Sequence, residues 1–167
     1  PAATGSADAS SSVPDSASAS ASDTASDPVE AEIREIAEDI RDDMAKLAKY
    51  KPTLDQIKAI VFTTVGAERM HQYVETGFGQ LPSGRPAAKP GQTEILVEGP
   101  DLGDLPGGYA QAIDHFKPGV KIYGFKYVEP GSTIGTSFDA LFKVDGKWFF
   151  IPKAWRVFAR PSSPAQP

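Results

Sequence analysis

Few side chains in this 167-residue chain have the type and spacing that a reaction needs. There are two histidines, His71 and His115, and no cysteine, so disulfides, thiolate nucleophiles and Cys-based zinc sites are excluded. No His-x-x-x-His or comparable spacing gathers the three or four ligands that a metal requires. Asp101-Leu102-Gly103-Asp104 lacks the regular acid spacing and closing glutamate of a calcium loop and reads as a turn. Gly131-Ser132-Thr133-Ile134-Gly135 precedes a strand rather than a helix, so it fails as a phosphate cradle. Ser83 and the other serines lie in no nucleophile elbow. No catalytic residue, metal or cofactor is therefore expected. Lys153, Arg156 and Arg160 accompany Trp148 and Trp155, a combination that suits an anionic or carbohydrate partner, or simply cations lying over edge aromatics.

The elements that position these groups are well punctuated. Asp27-Pro28-Val29-Glu30 supplies an N-cap acid, a proline at the first helical position and a glutamate in capping-box register. The apolar stripe Val29, Ile33, Ile36, Ile40, Met44 and Leu47 predicts one helix, ended by Pro52. Thr53-Leu54-Asp55-Gln56 opens a second helix, and Thr63-Thr64 caps a third that stops at Gly77 and Gly79. The pattern does not decide whether these two are one bent helix. Residues 81–92 are a Pro/Gly loop, and 93–98 alternate as a strand. A second loop covers 99–108, and Tyr109, Ala112, Ile113 and Phe116 fit a short helix. Strands are expected over 120–128, 133–144 and 147–158. The fold class is α+β, with N-terminal helices packed on a curved, mainly antiparallel sheet that ends in a three-strand meander.

Asp145-Gly146 between two apolar runs predicts a type I′ hairpin, which needs positive φ at both central residues. That turn pairs Val144 with Lys147, Lys143 with Trp148, Phe142 with Phe149, Leu141 with Phe150 and Ala140 with Ile151. One face then carries Phe138, Ala140, Phe142, Val144, Phe149 and Ile151, a continuous core. The other carries Asp139, Leu141, Lys143, Trp148 and Phe150, too apolar for water and too charged for a core. Upstream, Lys121, Tyr123, Phe125 and Tyr127 oppose Val120, Ile122, Gly124, Lys126 and Val128. Gly124 signals a bulge or bend, and Pro152 breaks pairing or marks an edge.

Helices followed by a sheet whose last strands read Phe142-Lys143-Val144-Asp145-Gly146-Lys147-Trp148-Phe149-Phe150 resemble the NTF2-like (SnoaL, cystatin-like) superfamily. The resemblance implies a cup-shaped sheet. In that superfamily's enzymes an Asp, His or Tyr lies inside the cup, for which Tyr123, Tyr127, Asp139 and His71 are the counterparts in position. None stands in a matching catalytic motif. The second half, from Pro106-Gly107-Gly108-Tyr109 onward, is also similar to exported bacterial proteins, a resemblance that implies no activity.

Composition bounds partners and location. Residues 1–27 are almost wholly Ser, Ala, Asp and Thr, too poor in apolar groups to offset ordering entropy, so they are expected to be a disordered tether. Residues 28–160 form one domain and 161–167 a disordered tail. Four aspartates in the tether account for most of the net charge of −5. The near-neutral remainder, without basic runs, argues against nucleic acid. No stretch approaches the roughly 20 apolar residues of a membrane span. The first residue is proline, which fits removal of an upstream segment. A Ser/Ala/Asp-rich leader then implies export to the periplasm, cell surface or medium, with membrane attachment only through an upstream lipid-anchored tether. The expected role is a binding domain without catalysis. It would use Leu141, Trp148, Phe150, Tyr123, Tyr127, Trp155 and Arg156 toward a protein partner, a small apolar ligand or a second copy. The alternative is a small-molecule enzyme or sensor with a pocket inside the cup.

Overall fold

The structure is a computed structural model that describes residues 27–100, 105 and 107–159. The expected tether up to Ser26, the Asp101–Asp104 turn, Arg160 and the tail 161–167 lie outside the described residues.

Helix α1 (Pro28–Ile40) begins where the caps place it, with Asp27 accepting from the Val29 amide at 2.9 Å. Glu30 instead pairs one turn on with Arg34, whose Nε and Nη2 both donate to Glu30 Oε1. The apolar stripe does not continue as one helix to Pro52. The chain breaks at Arg41–Asp43 and resumes as a 3-10 helix, Met44–Tyr50. The break has a local cause. The Asp43 carboxylate turns back to accept from Ala45 at 3.0 Å and Gly84 at 3.1 Å, competing with the helix as aspartate does. Helices α2 (Leu54–Ile60) and α3 (Thr64–Phe78) are separate, because Val61 is extended and bridges to Phe116. Thr53 and Thr63 cap them, the first in a full capping box with Gln56.

Strands β1 (Glu94–Glu98), β2 (Ile122–Val128), β3 (Gly135–Val144) and β4 (Lys147–Phe150) pair antiparallel in sequence order. A short helix, α4 (Tyr109–Ala112), precedes β2 and continues as a 3-10 turn over Ile113–His115. The last strand is shorter than the expected 147–158. After Phe150 the chain turns at Pro152, which cannot extend a ladder, and closes as a 3-10 helix over Ala154–Val157.

The hairpin register is the one that Asp145-Gly146 dictates, from Val144 opposite Lys147 to Leu141 opposite Phe150. Both turn residues have positive φ, 49° and 75°. Farther along β3 the two faces are reassigned. Tyr123 pairs with Leu141 but Gly124 with Asp139, leaving Ala140 as an extra residue at φ 77°. This bulge moves Phe138 onto the face of Leu141 and Phe150, and Asp139 onto the opposite face. Gly124 correctly marked the level of the bulge, but the inserted residue is across the ladder.

The reason both faces are apolar is now plain: helices cover both. Helix α1 and the Met44–Tyr50 turn pack on Phe125, Tyr127, Phe138, Leu141 and Phe150. Helices α2, α3 and α4 pack with Ala154 and Val157 on Ile122, Phe142, Phe149 and Ile151. The first three helices do not share one side of the sheet. Arg34 of α1 and Arg41 just after it also donate to the Ile95 and Thr93 carbonyls at the β1 edge, blunting an open strand.

Candidate functional site

A concavity lies at the end of the sheet where the hairpin, the N-terminus of α1, the end of α2 and residues 117–121 converge. It is a cleft of about 610 Å³, within the range of small-molecule sites. Its walls are held by backbone bonds from α2 to the segment after α4: Lys117 donates to the Ile60 carbonyl at 2.8 Å and Phe62 to the His115 carbonyl at 2.9 Å. Gly119, at φ 80°, turns the chain back toward β2.

Aromatic and cationic groups meet there. Tyr123 of β2 and Trp148 of β4 stand edge to face, 5.5 Å between centroids. Val29, Ile60, Val120 and Phe142 complete the apolar wall, and Lys117, Lys121 and Lys143 line the cleft. The Lys143 ammonium lies 5.4 Å from the centre of the Trp148 ring. Lys143 and the Trp148 indole N–H both donate to the same oxygen of Glu32 on α1, at 2.5 and 2.6 Å. Those two hydrogen bonds hold the Glu32 carboxyl below its ordinary range. Burial pushes the Tyr123 phenol up, and the nearby Asp27 charge adds to the effect.

Of the residues singled out from sequence, the structure brings Tyr123 and Trp148 together in this cleft. Leu141, Phe150 and Tyr127 share their face but are buried under α1 and the Met44–Tyr50 turn, so they are core there rather than open surface. Tyr127 donates to the Ala37 carbonyl at 2.5 Å, and its phenol is pushed well up by burial. Trp155 and Arg156 lie elsewhere. Arg156 covers the Trp155 ring at 5.5 Å, the snorkelling arrangement. Trp155 rests on Gly107-Gly108, where an added Cβ would come within 2.7 and 2.5 Å of the indole. Val29, Lys117, Lys121 and Glu32 were not found by sequence reasoning. They come from two segments, the start of α1 and residues 117–121, and no local pattern joins either segment to the hairpin.

The groups with acid–base potential are scattered. His71 lies 3.5 Å from Glu75 on α3, and His115 stacks on Phe158 at 4.3 Å. The half-buried Asp139, on the opposite face from Tyr127, neighbours the buried Tyr109 phenol, which accepts from the Ala154 amide at 3.2 Å. Burial raises both the Asp139 carboxyl and the Tyr109 phenol. Among the described residues no group of three or more His, Asp or Glu is arranged to hold a metal ion. No helix among them is long and apolar enough to cross a membrane. Phe62 and Ile113 are exposed apolar side chains beside a smaller cleft of about 350 Å³.

No protein-family model, curated protein or solved structure matches this chain.

Proposed function

We propose that this chain is a binding domain without catalysis of its own, taking a small, largely apolar ligand into the cleft beside Tyr123 and Trp148. The observation that carries this reading is the aromatic pair at the mouth of a cleft with an aliphatic wall, held between rigid elements rather than on a loop. Such a surface gains most by covering apolar area while a few polar groups fix orientation. The scattered positions of His71, His115 and Asp139 favour binding over acid–base chemistry.

An exported or envelope-associated setting belongs to the same reading, supported by the Ser/Ala/Asp-rich composition of residues 1–27 and the lack of nucleic-acid-binding charge. The order of helices before a meander with an Asp-Gly hairpin supports an NTF2-like kinship as part of the proposal.

Titration with the neutral dye N-phenylnaphthylamine tests the reading. Saturable fluorescence enhancement is expected, weakened at least about tenfold in Trp148→Ala, an aromatic truncation of hot-spot size. Equal enhancement by wild type and Trp148→Ala, with both proteins folded, would overturn it. A second reading, association with a second copy of the chain, is favoured by the exposed Phe62 and Ile113. In that case Phe62→Asp changes the sedimentation coefficient and leaves dye binding intact.

A further inference from the structure

We propose that the ligand of this cleft is an amphiphilic carboxylate whose headgroup replaces Glu32 on the Lys143 ammonium and the Trp148 indole N–H. The inference rests on the cleft being a binding site, and it names the class of ligand.

Lys143 and Trp148 are a directly opposed cross-strand pair, so the hairpin presets the spacing of the two donors. Both point at a single carboxylate oxygen, Glu32 Oε2. The acceptor arrives from another layer, and its side chain is 42% exposed. An exposed ion pair is worth little, so an incoming carboxylate exchanges with Glu32 at small cost. An indole N–H that is half-buried needs an acceptor, and the exchange keeps it satisfied.

The charge around the cleft favours an anion. Among the described residues, Lys117, Lys121 and Lys143 line it and no carboxylate does. Asp27 and Glu32 approach from the start of α1, and Glu32 is the group that must swing out. Val29, Val120, Tyr123 and Val144, all half-buried, offer an apolar bed too extensive for a bare inorganic anion, which would leave it wet. An acid headgroup with a hydrocarbon or aryl body fits both halves.

Displacement of bound N-phenylnaphthylamine from the full chain by decanoate and by decanol at neutral pH is the test. Decanoate is expected to displace the dye at about tenfold lower concentration than decanol, the gain from two charge-assisted hydrogen bonds. Glu32→Ala, which frees both donors, widens that preference. Lys143→Met removes it, and Trp148→Phe, which keeps the ring and loses the donor, narrows it. Equal displacement by acid and alcohol, or a preference unchanged in both Lys143→Met and Trp148→Phe, would overturn the carboxylate inference while the binding reading stands. Failure of the dye to bind the wild type at all would instead overturn the binding reading.

Discussion

The phenolic hydroxyl of Tyr127 donates at 2.5 Å to the carbonyl of Ala37, ninety residues earlier in the chain. The Ala37 carbonyl belongs to the last turn of α1, where the Arg41 amide bonds Glu38 instead. A strand residue thus satisfies a helix-end acceptor, and α1 is fastened to the centre of the sheet. Tyr127→Phe leaves that buried carbonyl unpaired and should lower stability by about 1–2 kcal/mol, read as a lower urea midpoint with an unchanged slope. An unaltered midpoint would mean that water or the Arg41 amide takes over the carbonyl.

Ala140 occupies the left-handed region at φ 77° while fully buried. A β-branched side chain is strained in that backbone and also overfills the core. Ala140→Val should therefore cost about 2–3 kcal/mol. Chemical denaturation measures the loss. A near-neutral result would show that the bulge can relocate to a neighbouring residue.

Asp139 makes stability depend on pH in a defined direction. Burial raises its carboxyl, while the Tyr109 phenol and the Lys153 charge only partly oppose this. A carboxyl raised in the folded state binds its proton more tightly there than when unfolded. Its contribution is fully present below the unfolded value of about 3.9 and is lost as pH rises through the folded value. Asp139→Asn stays neutral throughout, so its stability relative to wild type should grow from about pH 4 upward and then level off. A difference that is flat across urea titrations at successive pH values would show that the carboxyl is not shifted.

Trp155 and Gly108 form a second, purely structural relationship. A methyl group at Gly108 would meet the indole at 2.5 Å, with no flexible end to yield. Gly108→Ala is expected to destabilise by about 1–3 kcal/mol, and by much less in a Trp155→Ala background. Additive effects in the double-mutant cycle would place the strain in the backbone rather than against the ring.

What the sequence determined by itself is what a few neighbouring residues decide. Asp27, Thr53 and Thr63 cap their helices, and Asp145-Gly146 sets a type I′ turn and the hairpin register, because each signal acts over two to four residues. Alternation in β2 likewise placed Tyr123, Phe125 and Tyr127 on one face. Tertiary structure decided which layer covers which face. The residues Leu141, Trp148 and Phe150 read as one mixed surface, yet α1 and the Met44–Tyr50 turn bury two of them and leave Trp148 at the rim of the cleft. The same packing inserts Ala140 and so turns Asp139 to the opposite face, since a bulge is chosen by the strands and helices on either side of it. The contact of Glu32 with Trp148 spans 116 residues and leaves no local pattern, because its geometry exists only after α1 has docked on the sheet.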